Sequence, residues 1–205
     1  MMRALVAAVL FATLSFASTA RAATLQTAVF AGGCFWGVEA VFEHVKGVKS
    51  VVSGYVGGTV VNPDYETVSN GRTGHAEAVK VTFDPAVVSY ETLLAVFFTV
   101  AHNPTELNRQ GPDVGTQYRS AIFFANAAQQ QSATTVIAQL TQAKVYPRPI
   151  VTQVTTLTKF YDAEPYHQNY LYSHTDQPYI VYNDLPKIDA LTKQYPALWE
   201  TTQGK

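Results

Sequence analysis

The order of hydrophobic patterns along the chain limits the folds that it can adopt. Short apolar or alternating runs predict strands, whereas apolar residues that recur every three to four positions predict helices. Through residue 125 these patterns follow the order β-α-β-β-α-β. That order is typical of a split βαβ, or ferredoxin-like, core, in which helices cover one face of a sheet. The sequence therefore predicts an α/β (α+β) fold, a two-layer sandwich with helices on one face of a mixed sheet.

Individual elements follow from the same patterns. An apolar face that ends before Gly47 predicts the first helix, and Ser89 and Asn126 are suitable N-caps for the next two. Polar, glycine-containing segments at 58–75 and 102–117 predict loops. The aromatic-rich segment after the last strand predicts a long C-terminal coil that wraps the domain. The predicted strands span residues 25–31, 48–56, 76–83, 119–125 and 150–157.

The N-terminal segment is predicted to be separate from the fold. Arg3 precedes a short apolar run over residues 4–17, and Ala20-Arg21-Ala22 has the small-x-small pattern of a cleavage site. We predict a signal peptide over residues 1–22 and one domain over residues 23–205. Export follows, with the periplasm as the expected compartment. The alternative is a retained N-terminal anchor.

Length and composition limit the possible functions. The chain has 205 residues, of which 47% are hydrophobic and 14% charged, as in one globular domain. Its formal net charge is -1, which argues against nucleic acid or an anionic membrane surface as a partner. The single cysteine excludes an intramolecular disulfide and a cysteine-rich metal site. In an exported chain, such a thiol is either buried and inert or kept for its reactivity.

That cysteine, Cys34, lies in the run Gly32-Gly33-Cys34-Phe35-Trp36-Gly37, where a predicted strand gives way to a helix. The first turn of a helix has free N–H groups and the positive end of the helix dipole. This position predicts a lowered pKa for the Cys34 thiol and a larger thiolate population. The two preceding glycines allow another molecule to approach the backbone, and Phe35 and Trp36 can form an apolar wall. The alternative is a buried cysteine beside two core aromatic residues.

Two polar segments that run into strands contain further candidates. In Gly71-Arg72-Thr73-Gly74-His75-Ala76-Glu77, a Glu77 carboxyl held near aromatic walls would have a raised pKa and could donate a proton. Tyr118 ends the second segment and Tyr65 lies in the earlier loop, and each offers an O–H donor to a substrate oxygen. Taken alone, each of these residues is better explained by ordinary surface packing. His75 has no partner at metal-ligand spacing, so no metal site is predicted.

Taken together, these blocks resemble the signature of the methionine sulfoxide reductase A family. The resemblance runs from about residue 26 to residue 199. It implies a peptide-methionine (S)-S-oxide reductase domain that returns free or protein-bound methionine sulfoxide to methionine and so repairs oxidative damage. The blocks that carry it are Gly33-Cys34-Phe35-Trp36-Gly37, Gly74-His75-Ala76-Glu77, the stretch from Asn108-Arg109-Gln110 to Arg119, and Ala163-Glu164-Pro165-Tyr166-His167-Gln168.

The resemblance also implies a role for each site residue. Cys34 would attack the sulfoxide sulfur and become a sulfenic acid, and Glu77 would bind and protonate the sulfoxide oxygen. Phe35 and Trp36 would hold the S-methyl group. This division agrees with the chemistry of methionine sulfoxide, which joins a polar oxygen to an apolar methyl group. Further contacts to the substrate would come from Tyr65 and Tyr118, at the oxygen, and from Asp113, through a bound water.

Two features depart from the family pattern. Many members have further cysteines near the C-terminus that resolve the sulfenic acid, whereas residues 187–205 contain none. Cys34 would therefore need an external thiol, from a thioredoxin-like protein, a glutaredoxin-like protein or a small thiol, with no bound cofactor. The second departure is His102-Asn103-Pro104-Thr105, where His-Asp-Pro-Thr is expected. We predict that asparagine at this position has at most a structural effect on the loop. Separately, we expect the protein to be a monomer.

Two other functions make different demands on the chain. A Cys-His hydrolase or acyltransferase needs a histidine within hydrogen-bond distance of Cys34. A secreted binding module that recognises peptide or sugar through the aromatic tail has no need of Cys34. The context of the motifs favours the reductase over both.

Overall fold

The computed structural model describes residues 24–201. The predicted signal peptide, residues 1–22, lies outside that range and stays a prediction. The strands are β1 (Gln26–Gly32), β2 (Val48–Val56), β3 (Ala76–Phe83), β4 (Arg109–Gln110), β5 (Asp113–Val114), β6 (Ser120–Phe124), β7 (Gln153–Thr156) and β8 (Tyr161–Asp162). The α-helices are α1 (Phe35–Glu43), α2 (Tyr65–Ser69), α3 (Tyr90–Val96), α4 (Ala127–Gln142), α5 (Tyr170–Ser173) and α6 (Leu185–Gln194). Short 3-10 turns lie at Thr116–Tyr118 and Pro165–His167, and π-helical turns at Phe97–Ala101 and Ile180–Asp184.

Six strands form the main sheet, in the order β7-β6-β1-β3-β2-β8. Strand β3 lies between β1 and β2 and is antiparallel to both, so β1 and β2 are the two parallel strands of a split βαβ unit. Strand β6 is antiparallel to β1, whereas β7 is parallel to β6. The predicted ferredoxin-like order and the mixed sheet are therefore confirmed.

Alternate residues of β1 reach opposite faces of the sheet, as the two-residue strand period requires. Phe30 belongs to the larger core cluster, where its ring lies 5.2 Å from that of Phe42 and 4.9 Å from that of Phe97. Buried side chains of α1, α3, α4 and α6 pack into this same cluster, so these helices cover one face. Val29 and Ala31 belong to a smaller cluster on the other face.

The loop predicted over residues 58–75 contains a helix that the sequence prediction missed. Helix α2 begins after Asp64, whose side chain accepts a hydrogen bond from the backbone N–H of Thr67 at 2.9 Å. The Thr67 hydroxyl in turn accepts from the Asp64 N–H at 3.2 Å, which completes a capping box. A five-residue helix held mainly by its cap has too little hydrophobic periodicity to be recognised among glycine, asparagine and proline. It matters for the site because it carries Tyr65.

The C-terminal segment wraps the domain as predicted, but the prediction that it is a coil is wrong. It contains β8, α5 and α6, and β8 pairs with β2 at the edge of the sheet. Near the end of this segment, the Leu198 carbonyl accepts a hydrogen bond of 2.7 Å from the N–H of Lys46, a residue just after α1. Helix α6 buries one side chain fully, Leu191, so its sequence carries a weak amphipathic signal.

Within residues 24–201, no helix is long and apolar enough to cross a membrane.

Candidate active site

Cys34 is placed by a tight transition from β1 to α1. It is the N-cap residue of α1 and follows Gly33, whose φ is 97°. A Cβ on Gly33 would lie 2.6 Å from Cβ and Cγ of Gln110, so this position needs glycine for space as well as for conformation. The Gln110 amide is itself fixed, because it exchanges hydrogen bonds of 3.0 and 3.1 Å with the backbone of Asn103.

The Cys34 thiol is buried, with 8% of the residue exposed. Burial raises its pKa well above the ordinary value, and the negative charges of Glu77 and Asp184 add to the rise. The Trp36 N–H and Lys187 oppose it. The helix start thus lowers the pKa as predicted, through the Trp36 N–H, but burial outweighs this effect, and the prediction of a lowered pKa is wrong. The neighbouring Phe35 N–H donates to Glu77 at 3.1 Å.

Beside the thiol lies a cavity of about 230 Å³. All seven residues predicted for the site line it, although they come from five separate places along the chain. Two further residues, Gln177 and Tyr179, come from the C-terminal segment. The lining consists of Cys34, Phe35, Trp36, Tyr65, Glu77, Asp113, Tyr118, Gln177 and Tyr179.

Glu77, the second residue of β3, is the acid of this cavity and is 1% exposed. Burial raises the pKa of its carboxyl to about 8, although the hydrogen bond from the Phe35 N–H opposes the rise. The group is therefore mainly protonated at neutral pH. The prediction of a raised pKa is confirmed, and its cause is the predicted desolvation.

Three aromatic contacts fix the Trp36 side chain in the cavity wall. Its indole N–H donates to Nδ1 of His167 at 3.1 Å. Its ring stacks on Tyr170, with centroids 3.8 Å apart and planes at 9°, and meets the edge of Tyr179 at 5.9 Å. These contacts hold the Trp36 ring in one orientation within the apolar wall.

The phenols of the cavity are held as neutral donors. Burial raises the pKa of Tyr65 to about 12 and that of Tyr118 well above its ordinary value, and in both cases the nearby Glu77 adds to the rise. Tyr179 donates its O–H to Oδ2 of Asp113 at 2.5 Å. The Asp113 carboxylate therefore already has one strong hydrogen bond and keeps acceptor capacity for a bound water.

The histidines offer no partner for a Cys-His mechanism. His167 packs near the cavity, but its Nδ1 accepts from Trp36. Both ring nitrogens of His75 bond to backbone groups of the loop before β3, at 3.1 and 2.8 Å, and both of His102 are occupied as well. Across the described part of the chain, no hydrogen bond joins Cys34 to a histidine, and no group of three or more His, Cys, Asp or Glu side chains is placed to hold a metal ion.

Comparison with known proteins identifies the family. Residues 26–198 match the family described as peptide methionine sulfoxide reductase. This chain belongs to that family. It is 59% identical over 174 residues to peptide methionine sulfoxide reductase MsrA 2 of Mesorhizobium japonicum, an alignment that covers 85% of this chain and 89% of that protein. The corresponding protein of Deinococcus radiodurans is 53% identical over 173 residues, with 84% of each chain covered.

A solved structure agrees with the sequence relatives. Methionine sulfoxide reductase A of Corynebacterium diphtheriae superposes with a TM-score of 0.66 at 35% identity, over 74% of this chain and 76% of that one. The family predicted from the motifs is therefore confirmed, and so is the fold class.

The departure at Asn103 has a structural explanation. Its side-chain oxygen accepts hydrogen bonds from the Thr105 N–H at 3.1 Å and from the Thr105 hydroxyl at 2.8 Å. An aspartate carboxylate would accept the same two bonds, so asparagine closes this turn without the charge. This contact supports the predicted loop-structural effect.

Proposed function

We propose that this chain reduces the S epimer of methionine sulfoxide, free or in proteins, to methionine. As a member of the peptide methionine sulfoxide reductase family, it is a thiol-dependent oxidoreductase that repairs oxidised methionine. The observation that carries the detailed mechanism is that a cysteine thiol, a protonated carboxyl, an apolar wall and phenol donors meet in a single cavity.

The cavity matches the two ends of the sulfoxide group. Phe35 and the fixed indole of Trp36 supply an apolar wall for the S-methyl group. The sulfoxide oxygen points toward the carboxyl O–H of Glu77 and the phenols of Tyr65 and Tyr118, which are all donors at neutral pH. Asp113 contacts the substrate through a bound water, while its carboxylate also accepts a hydrogen bond from the Tyr179 O–H.

The chemical step transfers one oxygen atom from substrate to enzyme. The Cys34 sulfur forms a bond to the sulfoxide sulfur while Glu77 gives its proton to the sulfoxide oxygen, which makes the sulfur electrophilic. The oxygen then passes to Cys34 as a hydroxyl and the bond between the two sulfurs breaks. The thiol proton restores the Glu77 carboxyl. The sulfoxide, reduced by two electrons, leaves as methionine, and Cys34 remains as a sulfenic acid.

Regeneration uses an external thiol, because the chain has no second cysteine. One thiol attacks the sulfenic acid, releases water and forms a mixed disulfide with Cys34. A second thiol, from the same or another molecule, displaces the Cys34 sulfur and leaves as the oxidised disulfide. A thioredoxin-like protein, a glutaredoxin-like protein or a small thiol can supply both, and no bound cofactor is needed.

The N-terminal pattern supports action outside the cytoplasm. Ala20-Arg21-Ala22 fits cleavage after Ala22, so the mature enzyme would be residues 23–205 in the periplasm. Its substrates there would be exported proteins with oxidised methionine, and free methionine sulfoxide.

The proposal predicts stereospecific turnover. Given a mixture of both sulfoxide epimers and excess dithiothreitol, residues 23–205 should consume the S epimer and leave the R epimer. Chiral chromatography of the remaining sulfoxide measures this, and glutathione, glutaredoxin and thioredoxin can then be compared as reductants. Equal loss of both epimers, or methionine formation without any thiol beyond one turnover, would contradict the proposal.

A further inference from the structure

A buried ion pair packs against the helix that carries Cys34. Asp184, the last residue of the turn Ile180–Asp184, is fully buried, and its Oδ1 accepts a hydrogen bond from Lys187 Nζ at 3.0 Å. The Lys187 side chain is 17% exposed. Neither residue lines the substrate cavity, and neither lies in the motifs that point to the family.

The pair meets α1 at Gly37. A Cβ on Gly37 would lie 2.6 Å from Cγ of Asp184 and 2.8 Å from Nζ of Lys187, so a larger residue would displace both. Gly37 follows Cys34 by three residues and therefore lies on the same side of α1, about one turn away. The Lys187 ammonium group is thus held beside the first turn of the helix that presents the thiol.

Stability gives little reason to bury this pair. Removing two charges from water costs about as much as their attraction returns, so an apolar pair of similar volume would serve the fold at least as well. Moreover, Asp184 Oδ2 is buried and has no hydrogen-bond partner within residues 24–201. A buried carboxylate with an unsatisfied oxygen, fixed against a lysine beside a nucleophile, points to an electrostatic role.

At neutral pH few of the groups around the thiol keep a charge. Glu77 is mainly protonated, because burial raises its pKa to about 8, and burial lowers the pKa of His102 to about 4, so its ring is neutral. The charge of Asp184 raises the pKa of Cys34, and that of Lys187 lowers it and so offsets part of this rise. The other titratable groups that face Cys34 or Lys187 are Tyr65, Tyr118 and Tyr179, which are neutral phenols, and the carboxyl of Asp113.

We propose that Lys187, positioned by Asp184 against Gly37, is the cation that stabilises the Cys34 thiolate. Lys187 is a positioning residue that acts through space on the sulfur. Its charge matters wherever Cys34 carries negative charge. In the cycle proposed above, on which this part rests, that occurs when the sulfur attacks the sulfoxide. It occurs again when the second external thiol displaces Cys34 from the mixed disulfide and Cys34 leaves as a thiolate.

Alkylation of Cys34 by iodoacetamide as a function of pH tests the proposal without any sulfoxide. In Lys187→Met the inflection of the rate should move to higher pH by about one unit, which is about a tenfold slower reaction below the inflection. In Asp184→Asn, which leaves Lys187 unopposed, the inflection should move to lower pH. Lys187→Arg should restore the native position. The matched control is Lys193→Met, which removes an exposed charge from the same helix and should change nothing.

Opposite shifts in the two variants distinguish this role from a structural one. An unmoved inflection in Lys187→Met, or a shift in the same direction in both variants, would overturn the proposal. Circular dichroism checks the fold. If Lys187→Met does not fold because it strands the buried carboxylate, Lys187→Gln decides, because its amide can still donate to Asp184 while the positive charge is lost, and its inflection should move to higher pH. If both shifts occur but the native chain reduces no methionine sulfoxide, the proposed function fails while the role of Lys187 stands.

Discussion

Replacing Cys34 with serine is expected to abolish reduction of methionine sulfoxide, with turnover falling at least ~1000-fold. The hydroxyl is a far weaker nucleophile than the thiol, and it cannot carry the oxygen away as a sulfenic acid. No other cysteine in the chain can replace it. The measurement is methionine formed from the S epimer with dithiothreitol in excess.

A folded variant is needed for that result to be informative. Serine is close to cysteine in size, so the buried site around residue 34 should keep its packing, and circular dichroism with thermal unfolding verifies this. Full sulfoxide reduction by Cys34→Ser would remove the mechanism. If the native chain and Cys34→Ser instead bound an unrelated ligand equally well, that result would favour a binding module.

Replacing Glu77 with glutamine is expected to slow sulfenic acid formation by about 10²-fold or more, because the proton donor for the sulfoxide oxygen is lost. The amide keeps the size of the carboxyl and can still donate a hydrogen bond, so substrate binding should change less than the chemical step. Rapid mixing of reduced enzyme with the S epimer, in the absence of thiol, isolates that step.

The same substitution provides an internal check. The negative charge of Glu77 raises the pKa of Cys34, so its removal should shift the alkylation of Cys34 to lower pH even as sulfoxide reduction slows. A more reactive thiol combined with a slower reduction would be hard to explain by damage to the nucleophile. Glu91→Gln, on the surface of α3, is the control and should behave as the native enzyme. An unchanged single-turnover rate in Glu77→Gln would remove the acid role.

Strands and helix starts were predictable wherever a local signal marks them. The bounds of β2 and β3 match the predicted ranges, because Gly57-Gly58 stops the first and Asp84-Pro85 follows the second. The N-caps Ser89 and Asn126 were also predicted, and each accepts from the N–H three residues later. Tertiary contacts decide the rest: α6 packs one buried leucine and has little pattern of its own.

The residues of the site also fall into two groups, those that a local sequence signal marks and those that only the fold brings to the cavity. Motifs at strand ends and in the loops beside them, together with the family resemblance, identified seven residues of the cavity. Tyr179 and Gln177 reach the cavity from the wrapped C-terminal segment, where one tyrosine among many carries no distinguishing signal. The pKa of Cys34 was predicted in the wrong direction, because its burial and the nearby charges of Glu77 and Asp184 depend on the folded neighbourhood.

The central claim is that the oxygen of the sulfoxide passes to Cys34. Mixing reduced enzyme with excess S epimer and no thiol, followed by intact-mass analysis and trapping with dimedone, tests it most directly. The account predicts one methionine per chain and a protein heavier by one oxygen atom, with the dimedone adduct on Cys34 and none in Cys34→Ser. Methionine formed without oxidation of Cys34, or in amounts beyond one per chain, would contradict it.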